Sequence, residues 1–533
     1  MHYKLSSFCL LTLLTGQIGY GQTATDYART IQAADLEKNL RILAADDMQG
    51  RETGTPGQRK AADYIAKQFA AEGLKPIVKS EDGKTSYLQP FKLYKKTWGD
   101  FYVKAGKNTY TYPKDFYVNG LFAVMQETTF PTVFAGYGIV SDKYDDYAKL
   151  DVKDKAVVIF ESEPKAANGT VLLTGTADAS DWGKEDGWRK KAILAKDKGA
   201  AQVFIVSPES GKAFQQVIAQ RSAMMMRYNR LTLRPAMEKI GAVGTFVVTA
   251  DMAASLLNTS ASKLKSAEDK IAKTGKTTAG TLKGQVVVKA ERKEESVESS
   301  NVVGYLEGTD KKDEVVIVSA HYDHIGVNPD GQVNNGANDD GSGTVSVLEI
   351  AQAFAKAKAE GHGPRRSLLF LTVSGEEKGL LGSEYYADMS PVLPLENTVC
   401  DLNIDMVGRV DDLHNGKSDN YIYVIGSDKL SSDLHKISEN ANRQYTMLDL
   451  DYKYNDPSDP ERIYYRSDHY NFAKHKVPII FYFNGLHPDY HRPTDDVDKI
   501  DFKLAEKSAR LVFYTAWEVA NRDEKLVVDS NKP

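Results

Sequence analysis

Four runs of consecutive apolar residues stand out in the second half of the chain: EVVIVSA (314–320), SLLFLTVS (367–374), TVCDLNID (398–405) and VPIIFYFN (477–484). Continuous rather than alternating apolarity predicts strands buried on both faces, as in a parallel sheet. Between and after them the period becomes helical. Residues 343–360 bring Val347, Ile350, Ala351 and Phe354 to one face, and 502–521 do so with Leu504, Leu511 and Val519. This rhythm predicts a doubly wound, mostly parallel α/β sheet. Upstream, 33–75 reads as two amphipathic helices, marked by Leu36, Leu40, Ile42 and Leu43 and then by Ala61, Ile65, Phe69 and Leu74. The polar stretch QGRETGTPGQ parts them.

Residues 83–125 alternate as short, tyrosine-rich strands, and 130–280 change character. AVVIFESEP and AAQVFIVSP are compact strands around the helical WRKKAILAKDKGA, a small α/β module of its own. GKTTAGTLKG (275–284) reads as a linker into the strand QVVVKAERK. The expected organisation is therefore a leader (1–21), a first part of the main domain (22–125), an insertion (126–283), the rest of the main domain (284–525) and a tail (526–533). The methionine- and arginine-rich stretch 214–236 fits adaptable packing and suggests no function.

Composition narrows the partners. Lysine plus arginine (68) nearly balance aspartate plus glutamate (73), which argues against nucleic acid or an anionic membrane surface. A short basic start, an apolar LSSFCLLTLLTGQIG and small residues before Gln22 have the layout of a cleavable secretory leader, so export to the periplasm or medium is expected. The apolar run is shorter than the ~20 residues a membrane span needs. Cleavage would leave Cys400 as the one cysteine, so no internal disulfide could form.

Chemistry-bearing residues gather after strand upon strand, at the rim where open α/β sheets bind ligands. His321 and Asp323 follow the first run, Glu376 and Glu377 the second, Asp405 ends the third, and His487 and His491 follow the fourth. Asp339 and Asp340 lie in the loop VNNGANDDGSG before the first helix of the sheet. Singly, each acid could be a helix cap and each histidine a loop residue. Together, so many carboxylates would repel, and cations are the natural compensation; histidines among them favour zinc.

SAHYDHIG, GANDDGSG, SGEEKGLLGS, NIDMVGR and HPDYHRPTDD, in this order and spacing, resemble the M28 zinc aminopeptidases with co-catalytic zinc sites. LAADDMQGRETGTPG looks like that family's opening segment, and the middle module resembles a protease-associated (PA) domain inserted into the peptidase. The resemblance implies two zinc ions per chain. Asp339 would bridge them, His321 and Asp405 would complete one site, and Glu377 and His491 the other. Glu376 would be the general base and Asp323 the carboxylate that orients His321. Asp340 reads as loop or cap chemistry, and His324, His469 and His487 carry no assignment. Three carboxylates against two zinc ions leave one positive charge, which a hydroxide shared by the ions would neutralise; zinc makes such a hydroxide available near pH 7.

The implied activity is removal of N-terminal residues from peptides with a free amino terminus, the insertion acting as a lid or wall. A carboxypeptidase, a one-zinc glutaminyl cyclase on the same sheet, and a metal-free receptor remain alternatives, because fold does not fix reaction. Neither GxSxG nor HExxH occurs, which removes serine-hydrolase and thermolysin-like readings.

Overall fold

In the computed structural model, residues 23–531 other than 81, 121, 229–230 and 236–242 are described, with 223–228 as backbone only. The expected leader lies outside the described residues, as does part of 214–236. The chain divides into two compact units, one taking residues up to Leu93 and from Val297 onward, the other Tyr94–Ser296.

The four apolar runs become β1 (Lys311–His321), β2 (Arg366–Val373), β3 (Thr398–Ile404) and, after β4 (Tyr421–Ile425), β5 (Ile479–Phe483) in the first unit. The sheet order is Asp449–Asp451, β4, β5, β3, β1, β2, then the 302–306 end of the strand Lys283–Leu306. β5, β3, β1 and β2 run parallel, while β4 is antiparallel to β5. The chain passes from β1 to β2 on one side and then to β3 on the other. Strand order therefore reverses at β1, the place where a crevice opens beyond the strand ends.

Helices α1 (Ala33–Leu43), α2 (Pro56–Ala71), α3 (Gly343–Ala359) and α4 (Phe502–Asn521) belong to this unit. On α3, Val347, Ile350, Ala351 and Phe354 are all buried, and Phe354 meets Phe513 of α4 at 4.8 Å. On α1 the buried stripe is Leu36, Leu40 and Leu43; Ile42 falls outside that spacing and is 38% exposed, contrary to expectation. Asp501 caps α4 by accepting the amides of Lys503 and Leu504.

Within the second unit the strand order is residues 283–290, Val124–Phe134, Ala156–Phe160, Gln202–Val206, Gly244–Val248 and Tyr117–Asn119. Its middle pairs are parallel, and Gly187–Asp197 is helical as expected. The boundaries fall at 93/94 and 296/297, where the sequence reading put 125/126 and 283/284. The reason is local: Leu88–Ala105 and Lys283–Leu306 are single long strands, so no polar loop marks the change of unit. Nor is 275–284 a linker. Thr278 is buried, Gly280 donates its amide to Phe134 O, and Thr277 bonds Asp146, which fixes the stretch within the second unit. No helix among the described residues is long and apolar enough to cross a membrane.

Candidate metal centre

Each strand end delivers its side chain to one place. His321 is the last residue of β1, Asp405 follows β3, and the two glutamates follow β2 after Ser374 and Gly375. Asp339 sits in the tight turn Ala337–Ser342 that leads into α3; its peptide to Asp340 is cis. His491 comes from the loop after β5 with φ 57°, stacked on Tyr490 at 3.8 Å.

The two oxygens of Asp339 face different partners. Oδ1 lies 3.3 Å from His321 Nε2, which is itself 3.6 Å from Asp405 Oδ1. Oδ2 lies 3.1 Å from His491 Nε2, which is also 3.1 Å from Glu377 Oε2. His321, Asp339 and Asp405 form one group with cation-binding spacing, and His324, Asp339 and Glu377 form another. Glu376 belongs to neither; its Oε2 is 3.9 Å from His321 Nε2.

Several bonds hold these side chains in place. Asp340 accepts the amides of Gly343 (2.8 Å), Met406 (3.0 Å) and His321 (3.3 Å), the structural role expected of it. Ser467 Oγ donates to Asp405 Oδ2 at 2.8 Å. Asp495 accepts the amides of Asn338 and Asp339, tying the His491 loop to the Asp339 turn. Asp323 meets His321 through both main chain and side chain. His321 Nδ1–H donates to the main-chain carbonyl of Asp323 (3.1 Å), and the Asp323 carboxylate stands 3.8 Å from the same nitrogen. That carboxylate also accepts from the Glu376 amide (3.2 Å) and Thr53 Oγ1 (2.6 Å). The ring is oriented, with Nε2 left free to ligate.

Sequence reasoning missed Arg51. Fully buried in the loop between α1 and α2, it donates to the carbonyls of Tyr322 (2.7 Å), Leu43 (2.9 Å), Asn335 (2.6 Å) and Gly336 (2.9 Å). It thereby joins the turn after β1 to the Asp339 loop. Burial lowers its pKa, opposed by Asp339, Asp323, Asp495 and Asp340. Nothing in QGRETGTPG distinguishes an arginine that will be buried from one in water.

Charge is concentrated and incompletely compensated. Burial alone would lower the His321 pKa, but Glu376 and Asp405 hold it well above the usual range. Burial and neighbouring Glu377 push Glu376 well up despite His321. Burial raises Asp339 and Glu377, yet the flanking histidines bring both below their ordinary values. His491, against both carboxylates, rises to about 10 although burial opposes this. Asp339 Oδ2 and Glu377 Oε1 are buried without a hydrogen-bond partner. Carboxylate atoms left so, facing imidazoles, are the donor set of a zinc site, so the residues present fit the metal.

The remaining histidines separate. Burial takes His469 to about 3; its Nε2–H donates to Tyr464 O and its ring stacks on Phe481. His487 drops to about 4 by burial and joins neither group.

Residues 301–516 match the model of peptidase family M28. This M28-matching segment contains every strand-end residue named above, while Arg51 and Thr53 lie outside it. Among curated proteins, the chain is 26% identical over 234 residues to "Aminopeptidase YwaD" of Bacillus subtilis, covering 43% of this chain and 46% of that protein. It is 33% identical over 218 residues to a "Probable leucine aminopeptidase" of Trichophyton verrucosum, covering 39% and 55%. The chain thus spans about half the length of the curated relatives it matches. Among solved structures, "Aminopeptidase from Aneurinibacillus sp. strain AM-1" aligns over 95% of this chain and 98% of its own, at 20% identity and a TM-score of 0.48.

Proposed function

We propose that this protein is an exported zinc aminopeptidase that holds two metal ions and removes residues from the free amino terminus of peptides. The observation that carries the reading is Asp339, whose two oxygens face two separate donor groups. His321 and Asp405 would hold one ion, Glu377 and His491 the other, with Asp339 shared. Bound there, zinc would supply positive charge to polarise a scissile carbonyl and make a water acidic enough to lose a proton near neutrality.

The rest is done by side chains of the chain itself. Glu376 stands outside both donor groups, so its carboxylate is free to take a proton from the attacking water and return it to the departing amine. Asp323 accepts the Glu376 amide and so holds the backbone that carries this carboxylate. The M28 match and the aminopeptidase names of the relatives support the substrate class. The leader-like first 21 residues support export. The parallel strands of the second unit support its reading as a PA-type module.

The test is zinc per chain together with hydrolysis of aminoacyl-p-nitroanilides, for the wild type and Glu376→Gln. Two zinc ions in both, with activity about 10²–10⁴-fold lower in the variant, is the expected result. One zinc per chain would favour the cyclase alternative. Absence of zinc under metal-sparing purification would overturn the reading.

A further inference from the structure

His324 is unassigned by the M28 resemblance, and its surroundings are unusual for a structural histidine. It is completely buried, and neither ring nitrogen makes a hydrogen bond among the described residues. Nδ1 nevertheless lies 2.8 Å from Glu377 Oε1 and 3.7 Å from Asp339 Oδ2. Those two oxygens are the same ones left without a partner. Nδ1 and these carboxylate oxygens stand at the spacing of neighbouring ligands of one ion, and the three residues form a group with cation-binding spacing.

The backbone is built around this ring. A Cβ on Gly336 (φ 56°) would come within 2.5 Å of His324 Cγ, so the glycine makes room for the imidazole. The His324 amide donates to Arg51 O, which anchors the residue from the other side. His491 meets His324 edge to face at 5.7 Å, beside the same two carboxylates; its side chain is 36% exposed.

We infer that His324 is a direct ligand of the second metal ion, through Nδ1, alongside Asp339, Glu377 and His491. This rests on the two-metal reading and deepens it. The two sites are then unequal: the first takes one histidine, the second takes two, one buried and one facing solvent. The buried histidine retains the ion when the exposed one is removed.

Two measurements test the assignment. In a zinc-loaded crystal, anomalous scattering should place the second ion about 2.0–2.1 Å from His324 Nδ1. Two ions with Nδ1 beyond about 2.5 Å of either would overturn the inference and leave the two-metal reading standing. No ion at all would overturn both. Independently, zinc content after dialysis against a weak chelator should stay near two per chain in His491→Ala and in His324→Asn, and fall to one in the double variant. A fall to one in His491→Ala alone would show that His324 does not hold the ion. His491→Ala alters an exposed side chain, so this arm does not depend on the folding of a core variant.

Discussion

Both units contain parallel strands alternating with helices, and both bury charge at strand ends, but to opposite effect. In the second unit Lys191 and Asp146 are matched by hydrogen bonds. Lys191, fully buried beyond the strand Ala156–Phe160, donates to the carbonyls of Phe160, Glu161 and Ser162, and burial takes its pKa down to about 7. Asp146 accepts the amides of Tyr137 and Ile139 and the hydroxyls of Tyr144 and Thr277. Among the described residues, all buried carboxylate and imidazole atoms without a partner belong to the first unit. A buried charge is therefore no sign of function until its hydrogen bonds are counted.

Even in the first unit, the orphan atoms are of two kinds. Glu349 on α3 has one oxygen bonded by Asn39 and one bare, and burial lifts its pKa to about 8. A lone acid of this sort neutralises itself by holding a proton. Asp339 and Glu377 share their space with histidines, and their environment keeps them ionised. A bound cation satisfies that group more completely than protons can.

The largest effect is expected of Asp339→Ala. Both ions should be lost on dialysis and peptidase activity should fall about 10³-fold or more, since a metal's charge stabilisation is worth several kcal/mol. Retention of two ions would remove the bridge from the account. Next is Arg51→Met, which leaves four carbonyls without donors and the nearby carboxylates without their buried cation. A stability loss of about 3–5 kcal/mol is expected in urea unfolding, together with weaker zinc retention.

Lys191→Met sharpens the contrast from the other side. It should lower stability by about 2–4 kcal/mol, as three carbonyls lose their donor, with zinc per folded chain unchanged. Zinc loss in that variant would undo the distinction between the units. The smallest effect is expected at Glu349. Its folded pKa is raised, so the stability its protonated form contributes is whole below the unfolded value of 4.5 and is lost as pH rises through about 8. Glu349→Gln should accordingly be more stable than wild type by about 1–2 kcal/mol at about pH 9, with the difference gone at about pH 4. An equal gain at both pH values would exclude titration as its source.

Much of this was legible along the chain. The continuous apolar runs named β1, β2, β3 and β5 to within a few residues at each end, because burial on both faces leaves a local signature. The rule that ligands bind beyond parallel strands then drew attention to His321, Glu376, Glu377, Asp405 and His491. The unit boundaries were not legible, since two strands run through them unbroken. Arg51 and Thr53 were hidden for another reason: about 270 residues separate them from Tyr322 and Asp323, the partners that give them a role.

Periodicity and residue type are properties of neighbouring positions, so the four buried strands and the acids and histidines at their ends are legible along the chain. Only the packing of distant segments turns the two oxygens of Asp339 to two groups, brings the Asp323 carbonyl to His321 Nδ1, and sets His324 beside Glu377. Those are matters of direction and of a few tenths of an ångström between distant segments. Spacing along a chain does not encode them.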